Sequence, residues 1–137
     1  MKTKYKNLIA WIPQLMIAFI LGGAAYGKLS SQATDVFIFQ KLQMEPAGRF
    51  LIGTLEALTV FLILIPRLSA LGASLAIAIM LGALLAHLGP LGFEVQGDGG
   101  KHIVMLGLVL ISSLILAWIR RSSLPLIGRL FRRSHLE

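Results

Sequence analysis

The chain has no cysteine, and only six of its 137 residues are acidic. Without cysteine, disulfides, thiol redox chemistry and cysteine-ligated metal sites are excluded. Charge of any kind is scarce, at 14%, where a soluble domain carries about 25%. Also missing are a phosphate-binding loop, a metal-ligand motif and a serine-hydrolase elbow. The glycines of "GDGG" (residues 97–100) are not followed by the Lys-Ser/Thr of a phosphate loop. No complete catalytic motif is present. Any part in catalysis would be an accessory one.

What the chain has instead is apolar sequence. Hydrophobic residues make up 56%, and they gather into blocks at 8–27, 50–65, 68–88 and 103–119. Each is close to the ~20 residues that cross a ~30 Å hydrocarbon layer as a helix. Backbone groups in lipid must bond to one another, which leaves helices or closed barrels. The period-2 alternation of a barrel strand is absent. The expectation is an all-α integral membrane bundle of four transmembrane helices, at about 8–28, 49–65, 68–88 and 102–119. Residues 1–137 then form a single membrane domain with antiparallel neighbours. The first block is too long for a signal-peptide core, and "GKL" at its end lacks a small-x-small cleavage pattern. It is expected to remain as a span.

The formal net charge of +7 would suggest nucleic acid in a soluble protein. Its distribution argues for a membrane and against nucleic acid. One side of the expected bundle holds Lys2, Lys4, Lys6, Arg67, Arg120, Arg121, Arg129, Arg132 and Arg133, and the other holds Lys28, Lys41, Arg49 and Lys101. The positive-inside rule then places both termini in the cytoplasm of a bacterial-type inner membrane. Trp11 and Trp118 suit interfacial anchors. In the first outer loop, "DVFIFQKLQM" (35–44) is apolar but too short to span, and is expected as an interfacial segment, with a short helix as one form. The basic tail 120–137 suits attraction to anionic lipid; an ordinary stop-transfer cluster explains it equally well.

One acid lies inside the second block. Glu56 is seven residues past Arg49, so about 10 Å deeper on the same helix face. Gly53 and Thr59 share that face, whereas Leu51, Leu55, Leu58 and Leu62 form a lipid-like one. Glu56 is therefore expected to point into the bundle. Helix 1 carries Gln14, Ala18, Leu21, Ala25 and Lys28 on one stripe. The third span carries Gly72, Ala76, Met80, Ala83 and His87 on another, and Lys101 and His102 open the last span. With alternating helix direction, Lys28, Arg49, Glu56, His87, Lys101 and His102 all fall in the outer half. These six are the candidate ligand-binding residues. No metal site is expected. Each has a plain alternative: helix-end snorkelling for Lys28, Arg49 and Lys101, interfacial caps for the histidines, and a buried structural brace for Glu56. Against the brace, intramembrane acids commonly mark pathways or binding sites.

"GGAAYGKL" at the end of helix 1, followed by the run from Arg49 to Leu88, resembles the DoxX-like family of small four-helix membrane proteins. The family pattern of glycine-lysine falls on Gly27 and Lys28, its Gly-x-x-Glu on Gly53 and Glu56, its short turn on Pro66-Arg67, and its small-residue helix on Ala76 to His87. The resemblance covers about 80 contiguous residues. It does not extend to the glycine-rich, aspartate-bearing end many members show after the last helix; this chain has a basic tail there. The resemblance implies association with redox chemistry. The family is named after a subunit of a terminal quinol oxidase, with relatives in thiosulfate–quinone oxidoreduction, methylamine utilisation and redox-stress complexes. A vertebrate branch assists receptor assembly. From the polar cluster and this likeness together, the leading expectation is a redox-associated accessory subunit. It would bind a quinone or other lipid-like ligand, with no covalent cofactor. A membrane-protein assembly factor is the first alternative, and a small proton-coupled transporter using Glu56 is the second. Partners would be the lipid bilayer, a redox or other membrane protein, and a second copy in a homodimer.

Overall fold

The computed structural model describes residues 2–124, and they are all-helical, with no strand among them. The helices are α1 (Lys2–Leu29), α2 (Ala33–Lys41), α3 (Ala47–Leu64), α4 (Ser69–Leu88) and α5 (Lys101–Ile119), followed by a 3-10 turn at Arg121–Ser123. Four of them, α1, α3, α4 and α5, are long and apolar enough to cross a membrane. The basic tail expected at 120–137 lies outside the described residues from position 125 onward.

The helix ends follow from local chemistry. α1 starts at Lys2, six residues before the apolar block, because nothing in the polar lead-in breaks a helix and lysine is a good helix former. Pro13 therefore falls in the helix interior. It is buried there. α3 stops before Pro66, which has no N–H to offer the carbonyl of Leu62; Ile65 bonds that carbonyl instead, at 3.3 Å. The turn to α4 is consequently short.

Each long helix buries a narrow stripe. On α3 it is Arg49, Gly53, Glu56, Thr59 and Ile63, at spacings of three and four. On α4 it is built around Ala73, Ala76, Met80 and His87. α1 packs against α3 and α5, and α4 packs against the same two, so the four form a ring. Ile17, Leu21, Ile63, Ala76, Val109 and Leu116 fill its centre. The outside is strongly apolar: Phe19 is 82% exposed, Leu85 70% and Phe61 62%. Water would not support so much exposed hydrocarbon on a monomer, and lipid does.

Candidate functional site

The site is assembled where the end of α1 meets the start of α3, under the short helix α2. Two glycines allow this. A Cβ on Gly53 would lie 2.9 Å from Lys28 Cβ, so only glycine lets the Lys28 backbone seat against α3. A Cβ on Gly27 would lie 2.5 Å from Asp35 Oδ2, so glycine there leaves room for the Asp35 carboxylate. Lys28 is thereby held between two carboxylates. Its Nζ is 3.1 Å from Glu56 Oε2 and 3.7 Å from Asp35 Oδ1. The side chains of Lys28 and Asp35 are 14% and 15% exposed, that of Glu56 4%. The Lys28–Glu56 contact is close but oblique. Glu56 Oε2 is fully buried and has no hydrogen-bond partner among the described residues.

Arg49 closes the other side of this end. Its guanidinium donates to both Glu45 oxygens, at 2.7 to 3.0 Å. It also donates to Ser31 Oγ at 2.9 Å and to the carbonyl of Lys28. That carbonyl belongs to the last turn of α1, where its backbone donor is only the Ser31 N–H, at 3.4 Å. One side chain thus fastens the residues just before α2, the residue before Pro46 and the end of α1. The Arg49 hydrogen bonds hold the Glu45 carboxyl below its ordinary pKa.

His87, Lys101 and His102 lie elsewhere, at the connection between α4 and α5. His87 Nδ1 donates to the carbonyl of Gly92 at 2.7 Å. His102 Nδ1 donates to Asp98 Oδ2 at 2.6 Å. The same carboxylate accepts from the backbone N–H of Val95, Gly100 and His102 at 2.9 to 3.0 Å. Bonded foremost by the His102 side chain and then by these amides, Asp98 is held well below the usual carboxylate range. It fastens the loop and serves the orphan donors at the start of α5. Lys101 is exposed. Among the described residues, no ion pair or hydrogen bond joins these three to the Lys28–Glu56 cluster.

The six candidates therefore separate into Lys28, Arg49 and Glu56 on one hand, and His87, Lys101 and His102 on the other. Sequence reasoning missed Asp35 and Glu45 as partners. Both are acids in the loop that carries α2, and that could have marked them. It also missed a polar layer toward the other end of the bundle. There the fully buried Gln14 donates to the Ile63 carbonyl at 2.7 Å, and Arg120 donates to Asn7 Oδ1 at 2.7 Å. Gln14 completes the last turn of α3, whose carbonyls have lost helical donors. No group of three or more His, Cys, Asp or Glu able to hold a metal occurs among the described residues. In comparisons with protein-family models, with curated proteins and with solved structures, nothing matched this chain.

Proposed function

We propose that this is a membrane-embedded accessory protein of quinone-linked redox chemistry, as its DoxX-like resemblance implies. In this reading it receives the polar head of a quinone or other lipid-like ligand at the Lys28–Glu56 pair. The observation that carries the reading is the buried, hydrogen-bond-free Oε2 of Glu56 beside an ammonium inside an apolar span. The two buried cations of this end, Lys28 and Arg49, already face carboxylates, so an anionic head gains little there. A neutral head bearing carbonyl or hydroxyl oxygens fits better. Lys28 can donate to a carbonyl, and Glu56 can accept from a hydroxyl. The ligand would supply two-electron redox chemistry; the chain would supply binding, orientation and a carboxylate. Saturable binding of a fluorescent quinone analogue to protein in lipid nanodiscs tests this. Glu56→Gln and Lys28→Met are expected to weaken binding at least tenfold. Unchanged binding in both variants contradicts the reading.

The same proposal includes the orientation. The long helices run antiparallel to their neighbours, both termini face the cytoplasm of a bacterial-type inner membrane, and the Lys28–Glu56 end lies in the outer half. Charge supports it. Lys2, Lys4, Lys6, Arg67, Arg120 and Arg121 flank one end with no acid nearby in sequence, whereas Asp35, Glu45, Glu56, Glu94 and Asp98 all belong to the other.

A second reading, a membrane-protein assembly factor, is favoured by one feature of α4. Ser74, Ala78 and Gly82 are exposed at intervals of four, and nothing lies within 4 Å of a Cβ built on Gly82. Small residues on a lipid-facing stripe allow another helix to approach closely. Crosslinking from position 82 in membranes tests it. Capture of a distinct membrane protein supports this reading, and recovery of self-contacts alone contradicts it.

A further inference from the structure

We infer that Lys28, Asp35 and Glu56 form a binding site for one proton, taken up from the α2 side and carried on the Glu56 carboxyl. Charge balance is the first ground. One ammonium stands between two carboxylates, at 3.1 and 3.7 Å, so the fully ionised triad carries a net charge of one minus two, or −1. An uncompensated charge in a dry apolar bundle is costly. The second ground is the buried Glu56 Oε2, which no donor among the described residues reaches with hydrogen-bonding geometry. A carboxyl that accepts a proton removes the uncompensated charge and turns the unserved carboxylate oxygen into part of a neutral acid, and Lys28 is then free to pair fully with Asp35.

Among the described residues, nothing else at this end supplies the missing charge. On α3 itself the only other ionisable residue is Arg49, which also lies within electrostatic reach of Asp35 but is balanced by Glu45, both of whose oxygens it bonds. α1 brings Lys28, already counted, and the exposed Tyr26. α2 brings Asp35 and Lys41, and Lys41 is exposed with no ion pair among the described residues. α4 brings only His87, which donates to the Gly92 carbonyl. α5 has no charged residue between His102 and its end at Ile119. A metal cation is a poor substitute. Hard cations such as calcium take about six to eight oxygen ligands, and no third acid or histidine joins the pair to hold one among the described residues.

The triad also has a direction. Asp35 sits on α2, outside the long spans, with 15% of its side chain exposed, while Glu56 keeps 4%. Lys28 can lean toward either carboxylate as the proton comes and goes. The use of that proton in redox chemistry rests on the reading given under Proposed function; its uptake does not.

Infrared spectroscopy of the ligand-free protein in nanodiscs, recorded against pH, tests the uptake. The wild type is expected to show a protonated-carboxyl band at neutral pH. Glu56→Gln should abolish it. Asp35→Asn should abolish it too, because one ammonium then balances one carboxylate. A wild type with no such band overturns the proposal, as does a band that Glu56→Gln removes and Asp35→Asn leaves intact. Loss of the band on adding sodium at constant pH and ionic strength would assign the site to a metal cation and overturn it as well. The quinone analogue is absent from this experiment, so failure here leaves the ligand reading standing, and failure of ligand binding leaves this result unaffected.

Discussion

Two polar clusters cap the bundle, and they are wired in opposite ways. Around Lys28 the contacts are long-range: Arg49 reaches residues 18 and 21 positions earlier in the chain. Around Asp98 they are local, joining residues two to four positions apart. The first cluster exists only once α1, α2 and α3 have come together, and its charges are largely removed from water. The second can form within one loop, and His102 keeps 39% of its side chain exposed. Burial and sequence distance together mark the first as the place where a substitution reaches both the fold and any ligand. A change in the second should stay in its loop.

The comparison breaks most easily at Lys28. Lys28→Met leaves the mostly buried Asp35 carboxylate without its cation, which should cost about 3–5 kcal/mol. Adding Asp35→Asn should recover most of that. Reversible unfolding in detergent–lipid micelles measures both. A loss that the second substitution does not repair would show that Lys28 acts by packing and not by charge. Next comes Gly53→Val. Its branched side chain must displace Lys28, and overpacking of this kind costs about 1–3 kcal/mol. The same unfolding assay should show it, together with weaker binding of the quinone analogue. Gln14→Leu sharpens the comparison from the other end of the bundle. It leaves the Ile63 carbonyl without its side-chain donor, at about 1–2 kcal/mol, and should leave binding at Lys28–Glu56 unchanged.

The smallest effect belongs to the local cluster. Asp98→Asn should loosen only the 88–101 loop and the first turn of α5. Amide hydrogen exchange, corrected for intrinsic rates, should show the change there and not in α3. The pH dependence has a definite sign. Folded Asp98 is held below its ordinary carboxylate value of about 3.9. Its contribution is therefore complete above that value and fades as the pH falls through the lower folded one. Protection of the α5 start should be level through neutral pH and drop only in strong acid. In Asp98→Asn that acid-side drop should vanish.

Depth along a helix is legible in sequence, because each residue adds about 1.5 Å. That is how Glu56 stands out as the deep acid, and how Gly53 and Thr59 identify its face against Leu51 and Leu58. Position around the ring is not legible in the same way. His87 and His102 belong with Lys28 by expected depth, yet α4 and α5 take them to a different contact set. Which helices touch depends on the packing of all four stripes at once. Asp35 and Glu45 were hidden for another reason. Their approach to Lys28 and Arg49 depends on how the chain turns before and after α2, and loop geometry leaves little periodic trace. Gln14 was visible on its stripe. Its role was not, because its partner is a backbone carbonyl 49 positions away.

Exchanging the two charges at the centre of the cluster is the most direct test of the account. Lys28→Glu alone and Glu56→Lys alone place like charges face to face in a dry site, and each should sharply reduce the yield of folded, membrane-inserted protein. The double exchange restores an opposite pair, and should return the yield and the unfolding midpoint to well above those of either single variant. A double variant no better than the worse single one, or single variants that fold as well as the wild type, would contradict the claim that these two side chains meet inside the bundle.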